Sequence, residues 1–338
     1  MALSRSFFHT ASFAVLMAAS TFGAGSAAHA DDKITIMVGG YEKHIYLPAK
    51  LAEALGYFKD EGLDVELLNE PAGVDAENQL LAGAVQGVVG FYDHCIDLQA
   101  KGKLVESIVQ FSQAPGEVEL VSTKHPEIKS AADFKGMSLG VTGLGSSTNF
   151  LTQYLAFKSG LQPGEFTSVP VGAGATFIAA MQQDKIQAGM TTEPTISRML
   201  KTKEASVLID MRTIESTRAA LGGTYPAASL YMETSWVDAH KETTQKLANA
   251  FVKTLKYINT HSADDIADKM PKDFYVGDKE GYVKALADGK GMFTADGVMP
   301  ADGPQTVLNV LSSFSKNVKG KQIDLSKTFT SEFVKAAK

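Results

Sequence analysis

Short apolar runs alternate along the chain with segments whose apolar residues recur at helical spacing. Lys33–Val38 is the first such run, and the segment after it places Leu51, Leu55 and Phe58 on one helix face, with Pro48 in its first turn. This alternation is typical of parallel sheets whose strands are connected by crossover helices. It predicts further strands at Val65–Leu68, Val85–Phe91, Met137–Thr142, Thr167–Val171, Ile186–Thr191 and Glu204–Met211.

Helical spacing recurs between these strands and dominates the end of the chain. Asn78–Ala84 and Thr176–Gln183 are two predicted helices, and another should end at Gly160. The chain stays mostly helical after residue 240, where apolar residues at helical spacing include Leu247, Phe251, Leu255 and Ile258. The sequence therefore predicts an α/β protein in which each sheet is open, mainly parallel and flanked by helices.

Two extended segments, Glu117–Thr123 and Tyr225–Met232, are predicted to connect two lobes. The expected division places residues 31–123 and 225–338 in the first lobe and residues 124–224 in the second. Two domains are also expected from length, because about 300 residues exceed what one core usually serves. Two crossing segments form a hinge, which lets a cleft between the lobes open and close around a ligand.

The first thirty residues have the layout of a secretory signal peptide. Arg5 precedes an apolar stretch from Phe13 to Ala19, and Ala28-His29-Ala30 matches the small-residue cleavage rule. The alternative is an apolar first helix of the domain. We expect cleavage after Ala30 and a periplasmic protein, because no other segment approaches the roughly 18–20 apolar residues of a membrane span.

Charge and cysteine content narrow the class of protein. The chain has a formal net charge of −6, and removal of residues 1–30, which contain one basic and no acidic residue, would leave −7. This balance argues against a nucleic-acid partner, which requires a basic patch. Cys95 is the only cysteine, so the chain forms no internal disulfide, and it lies too far from Ala30 to be the acylated cysteine of a lipoprotein.

The clearest local signal is a glycine- and hydroxyl-rich turn between a predicted strand and a predicted helix. It contains Gly145, Ser146, Ser147 and Thr148. Unpaired N–H groups at a helix N-terminus and neighbouring hydroxyls suit an oxyanion such as a sulfonate, carboxylate, nitrate or phosphate. The alternative is ordinary helix capping by a serine or threonine. A position after a strand of an open sheet favours a ligand site.

Six other residues complete the predicted ligand-binding set. Tyr41 follows the first strand and would stack on a ligand or lie on the surface, while Asp93 would accept from a ligand amine or cap the next helix. Gly174 and Thr176 lie in a strand-to-helix turn whose amides could contact a ligand. Pro194 should hold Glu193 extended, so that its carboxylate points into the cleft or into water. Tyr225 begins the second predicted crossing.

Catalysis and metal binding have little support in the sequence. The chain contains no G-x-S-x-G, H-E-x-x-H or C-x-x-C motif. His44, Asp93, His94 and Cys95 are the one candidate metal set, and adjacent His-Cys is poor ligand spacing on a helix. We therefore expect no catalytic residue, no metal and no cofactor.

Three stretches resemble a known family. Tyr41–Ala49 leads into Gly56-Tyr57-Phe58 and then Glu61-Gly62-Leu63-Asp64-Val65; Ile128–Gly136 and Gly145–Thr148 follow. These runs resemble the nitrate/sulfonate/taurine class of ABC-importer solute-binding proteins and their thiamine-pyrimidine relatives. The similarity covers most of residues 33–260.

The resemblance implies a two-lobe type II periplasmic-binding fold that captures a solute without turnover. We expect a monomer, because an independent two-lobe shuttle works as one. The solute's anionic end would lie near Ser146, Ser147 and Thr148, and an inner-membrane permease with its ATPase would receive it. Glu193-Pro194 stands where sulfonate-type relatives often have Asp-Pro. The turn that contains Asp93 is more polar than the small-residue turn of sulfonate binders. These departures indicate an organic solute with both an anionic end and a donor-rich part. Alternatives are a pyrimidine-forming enzyme and a module that presents a ligand to a sensor.

Overall fold

A computed structural model describes residues 32–275 and 277–337, so the predicted signal peptide lies outside the described residues. Ten strands form within that part of the chain. They are β1 Asp32–Val38, β2 Leu63–Asn69, β3 Gly87–Phe91, β4 Val105–Gln110, β5 Glu117–Ser122, β6 Ser138–Val141, β7 Thr167–Pro170, β8 Ala188–Thr192, β9 Ala205–Met211 and β10 Ala228–Glu233.

These strands form two five-stranded sheets. The first has the order β2-β1-β3-β10-β4, and the second has the order β7-β6-β8-β5-β9. In the first sheet β1 is parallel to β2 and β3, whereas β10 is antiparallel to both of its neighbours. In the second sheet β6 is parallel to β7 and β8, and β5 is antiparallel to both of its neighbours. Each sheet is thus mixed, with one reversed strand.

Helices cover both sheets. In chain order they are α1 Leu47–Ala54, α2 Tyr57–Asp60, α3 Gly73–Leu81, α4 Asp93–Ala100, α5 Ser147–Lys158, α6 Ala175–Gln182, α7 Thr195–Lys201, α8 Ile214–Leu221, α9 Thr234–Ala239, α10 Lys241–Thr260, α11 Ala263–Ala267, α12 Lys279–Gly289, α13 Gly303–Phe314 and α14 Glu332–Ala336. Among the described residues, no helix combines the length and the apolarity that a membrane crossing requires.

The chain passes between the sheets earlier than the sequence predicted. It leaves the first sheet after β4 and enters the second at Glu117, then returns between Met211 and Ala228. Glu117–Ser122 is therefore a strand of the second sheet, paired with β8 and β9, although the predicted boundary after residue 123 left it in the first lobe. An extended run adjacent to a crossing has the same sequence pattern as the crossing itself, so the pattern could not separate the two.

The apolar residues that predicted strands and helices are mostly buried in the core. All five residues of β3 are buried, as expected for a strand with helices on both faces of its sheet. The sequence predicted one helix with Leu51 and Phe58 on the same face, but the structure has two helices there. Leu51 is buried in α1, and Phe58 is buried in α2. The first helix ends before Gly56, which adopts φ +77. The predicted apolar face of α10 is buried along its whole length.

Candidate functional site

Loops at the carboxyl ends of strands from both sheets meet around a small cavity, here called the central cavity. Its volume is about 10 Å³, which is about what one water molecule needs. The loops after β1, β3, β6 and β8 all contribute, as the rule for ligand sites in open α/β sheets predicts. The residues around it are Lys43, Ile45, Tyr46, Gly73, Phe91, His94, Glu117, Thr142, Ser146, Ser147, Thr148 and Thr192.

Asp93 connects the two lobes at the edge of this cavity. Its carboxylate is fully buried and accepts hydrogen bonds from Ser147 Oγ at 2.7 Å and Tyr225 Oη at 3.0 Å. Burial raises the pKa of Asp93, and the two hydroxyl donors and the nearby His94 oppose that rise. The side chain does not cap α4, whose N-cap residue is Tyr92. The helix-cap alternative for Asp93 is therefore wrong, because both its oxygens face side chains from elsewhere in the fold.

The hydroxyls of the turn before α5 also bond across the structure. Ser146 Oγ accepts from the Val74 amide at 3.2 Å, and Thr148 Oγ1 lies 2.9 Å from Thr142 Oγ1 and accepts from the Thr142 amide. The N-cap residue of α5 makes no side-chain capping bond, so the capping alternative fails here too. Gly145 adopts φ +91, a conformation that favours glycine and lets the turn fold tightly.

A buried lysine and a buried glutamate share the central cavity, and the sequence prediction included neither. Lys43 is 4% exposed and its Nζ donates to the Pro71 carbonyl at 2.9 Å and to the Gly39 carbonyl. Burial lowers the pKa of Lys43 to about 8. Burial raises the pKa of Glu117 well above its ordinary value, and Asp93 adds to the rise while Lys43 opposes it.

Two buried oxygen atoms at this cavity have no hydrogen-bond partner within the described part of the chain. They are Glu117 Oε2 and Thr192 Oγ1. A buried polar atom without a partner costs about 1–3 kcal/mol, so such atoms are uncommon in folded proteins. Both are available to a ligand, and the carboxyl oxygen can accept from a donor group on it.

His94 supplies a further positive charge. Its Nδ1 is paired with Glu77 Oε2, and both side chains are almost completely buried. Burial alone would lower the pKa of His94, but the Glu77 carboxylate outweighs that effect and raises it to about 9. The central cavity therefore combines the cationic groups Lys43 and His94 with the carboxyl of Glu117, and Asp93 bonds to Ser147 of its lining.

Four of the predicted site residues lie elsewhere. Tyr41 and Gly174 line a separate cavity of about 620 Å³. Thr176 is exposed and donates to the Ala173 carbonyl in its own turn. The Glu193 carboxylate points neither into the central cavity nor into water, because it accepts from Arg212 Nη1 at 3.0 Å and from both the amide and the hydroxyl of Ser197.

The predicted metal alternative does not assemble. Across residues 32–275 and 277–337, no group of three or more histidine, cysteine, aspartate or glutamate side chains is arranged to hold a metal ion. His44, one member of the proposed set, lines a different small cavity with Glu193 and Arg212. Its ring contacts Tyr282 edge-on with centroids 4.4 Å apart.

Sequence comparisons connect the chain to two kinds of protein. A family model described as NMT1/THI5 like matches residues 45–264. A 4-amino-5-hydroxymethyl-2-methylpyrimidine phosphate synthase of Saccharomyces cerevisiae is 26% identical over 163 residues, which are 48% of this chain and 46% of that protein. A putative binding protein of Bacillus subtilis is 23% identical over 238 residues, 68% of this chain and 67% of that protein. The chain spans about half the length of the synthase relatives it matches.

Solved structures confirm the predicted two-lobe periplasmic-binding fold. A protein of Bordetella bronchiseptica RB50 is 35% identical, with a TM-score of 0.87 over 90% of this chain and 96% of that one. Three others share the fold at 14–15% identity and TM-scores of 0.68–0.69. They are the ligand-binding component of an ABC-type import system from Staphylococcus aureus (91% and 99% covered), the alkanesulfonate-binding protein of Xanthomonas axonopodis pv. citri (88% and 98%) and the nitrate-binding protein of Synechocystis PCC 6803 (90% and 87%).

Proposed function

Because the chain belongs to the NMT1/THI5-like family, we propose that it is the periplasmic solute-binding component of an ABC importer. It captures a small organic solute between its lobes and delivers it to a membrane permease with its ATPase. The predicted signal peptide supports the periplasmic location, and the fold shared with solute-binding proteins supports the role.

The hydrogen bond from Ser147 to Asp93 is the observation that carries this proposal. Asp93 follows β3 of the first sheet, and Ser147 begins the helix after β6 of the second sheet. The groups that line the central cavity therefore also hold the lobes together. Because the central cavity has the volume of about one water molecule, an organic solute enters only when the lobes separate. Its bonds to both sides then stabilise the arrangement that retains it.

The charges around the central cavity favour a solute with two different ends. Glu117 places a carboxyl beside Lys43 and His94, so the cavity presents a carboxyl oxygen as well as cationic groups. A solute whose amino or ring N–H group donates to Glu117 Oε2 satisfies that oxygen. An anionic end would bond to the N-terminus of α5, where the first N–H groups lack intrahelical partners. An aminopyrimidine phosphate, the compound in the synthase relative's name, has both features.

The second candidate function is a pyrimidine-forming enzyme, which the names of the curated relatives favour. Binding without turnover is preferred because the lobe-bridging contacts lie at the cavity itself and because the N-terminus has the layout of an export signal. Incubation of the protein with pyridoxal phosphate and Fe²⁺, followed by intact-mass measurement and product analysis, separates the two. An importer component consumes neither compound and keeps its mass, whereas formation of a pyrimidine would refute binding without turnover.

The decisive experiment for binding is a thermal-shift panel. Residues 31–338 are purified, unfolded to remove any co-purified ligand, refolded and heated with aminopyrimidines, their phosphates, alkylsulfonates, carboxylates and nitrate. A ligand at about 100 times its dissociation constant adds roughly 2.7 kcal/mol, which corresponds to several degrees for a protein of this size. A selective shift by one class supports the proposal. No shift by any class would contradict it.

A further inference from the structure

A second and much larger cavity lies beside the central one, and we call it the side cavity. Its volume is about 620 Å³, within the roughly 300–1,000 Å³ range of small-molecule sites. One wall comes from the second lobe, at Gly174–Ile178 and α7. The other comes from Tyr41 and from the segment around α12.

Aromatic and aliphatic side chains provide most of its walls. Tyr275 and Tyr282 contact each other with ring centroids 5.3 Å apart, and Phe274 and Tyr41 line the same space. Tyr282 also contacts the His44 ring, which restricts its orientation. Aromatic walls that are fixed by neighbouring rings favour a flat conjugated ligand, because ring contacts add affinity beyond that of burial alone.

The charges at the rim show no preference for an anion. Lys201 Nζ and Asp278 Oδ2 lie 2.7 Å apart and neutralise each other. The remaining charged residues are Glu42, Asp273 and Arg198, which together have one excess negative charge. A neutral or weakly cationic molecule therefore fits this cavity better than an anion does.

The side cavity and the central cavity are lined by adjacent residues of the same two loops. Lys43 and Thr192 face the central cavity, whereas Glu42 and Pro194 face the side cavity. Between them, the His44 amide donates to the Glu193 carbonyl at 3.1 Å and joins the two loops. Among the described residues, the two cavities share no lining residue, so we treat the side cavity as distinct from the central cavity, and the Ser147→Ala variant below tests that separation.

We propose that the side cavity is a second small-molecule site, distinct from the solute site, for a neutral or weakly cationic aromatic molecule of one or two ring systems. Because its walls come from both lobes, an occupant contacts both and favours their closed arrangement. The aromatic contacts of Phe274, Tyr275 and Tyr282 supply its affinity.

N-phenyl-1-naphthylamine, a neutral fluorescent probe with two aromatic ring systems, tests this directly in the full-length protein. We expect saturable one-to-one binding. Ala175 is exposed at the start of α6 and lines the side cavity, so Ala175→Trp should weaken binding by about tenfold or more. Ala219→Trp, at an exposed alanine of α8 outside this lining, is the matched control and should bind like the parent. Phe274→Ala removes one aromatic wall and should also weaken binding severalfold.

Three results would overturn the proposal. The first is no saturable binding, or equal binding by Ala175→Trp, Phe274→Ala and the parent while circular dichroism shows all three folded. The second is loss of probe binding in Ser147→Ala, which would mean one continuous site. The third is tighter binding of 8-anilino-1-naphthalenesulfonate, which carries the same rings and an added negative charge. Retained probe binding in Ser147→Ala supports two separate compartments.

Discussion

Ser147 and Asp93 form a hydrogen bond of 2.7 Å between the two lobes, with donor and acceptor at the carboxyl edges of different sheets. Tyr225, on the returning crossing, donates to the other oxygen of the same carboxylate at 3.0 Å. One buried side chain thus connects the first sheet, the second lobe and the hinge. Any group that changes the hydrogen bonding of Asp93 also changes how the lobes are held.

Asp93→Asn should weaken solute binding by about tenfold or more, because a charge-assisted hydrogen bond is roughly twice as strong as a neutral one. The melting temperature without solute should change by only a few degrees. Asparagine keeps one acceptor oxygen and removes the cost of a buried charge. Isothermal titration with the solute identified by the thermal-shift panel measures the first effect, and calorimetric melting measures the second.

Asp64→Asn is the control for this variant, because Asp64 is an exposed aspartate on β2 and far from the cavity loops. It should match the parent in both measurements. Unchanged affinity in Asp93→Asn would show that Asp93 holds the lobes but does not contact the solute.

The strand-and-helix alternation predicted the fold because each buried strand has a continuous apolar run. It did not predict β4, since Glu106, Ser107 and Gln110 interrupt the apolar pattern. Ser107 and Gln110 are nonetheless buried, because Gln110 Nε2 donates to the Ser112 and Ala228 carbonyls. The bond to Ala228, which is 118 residues away, leaves no local signal in a sequence.

The sequence predicted only those residues of the candidate site that lie in a polar turn directly after a strand. The Gly145–Thr148 turn and Asp93 follow strands directly, and the carboxyl-end rule brings them together. Lys43 and Glu117 escaped prediction because a charged residue in a loop or at a strand end usually faces water. Only the tertiary packing shows that both are buried. Tyr41 and Glu193 follow strands too, yet they face other cavities, because loops of several residues turn away from the sheet edge.

A pH dependence of stability should arise from Glu119, which is fully buried on β5. Burial raises its pKa to about 8, and a hydrogen bond from Thr152 at 2.9 Å opposes that rise. Because the folded pKa lies above the unfolded value of 4.5, the folded state binds the proton more tightly. This contribution to stability is full below about pH 4.5 and is lost as the pH rises to about 8.

Glu119→Gln, which cannot ionise, should therefore have a flatter stability profile between pH 5 and 8 and a higher melting temperature than the parent at pH 8. Urea unfolding at a series of pH values measures this. Glu66→Gln, at an exposed position of β2, should keep the parent profile. Parallel profiles for Glu119→Gln and the parent would assign the pH dependence to other groups.

Phe251→Ala should destabilise the first lobe strongly. Phe251 is fully buried in α10, and its ring lies 5.3 Å from Phe58 and 4.8 Å from Phe111 between centroids. Removal of a buried phenylalanine ring typically costs about 3–5 kcal/mol of unfolding free energy. Leu104→Ala, at a leucine 52% exposed, should cost less than about 0.5 kcal/mol. Urea denaturation of both variants measures the difference, and similar losses would contradict the assigned core.

Glu117→Gln tests whether the solute donates a hydrogen bond to the central cavity. Glu117 Oε2 is buried without a partner, and glutamine keeps one acceptor oxygen but replaces the other with an NH2 donor. If the solute donates there, its affinity should fall severalfold, because glutamine has only one acceptor oxygen and its NH2 group leaves a facing donor unpaired. The melting temperature without solute should stay equal or rise, since the substitution removes a buried ionisable group. Titration calorimetry together with melting separates these effects. A fall in both quantities would make Glu117 a structural residue, whereas a fall in affinity alone supports a solute donor at Oε2.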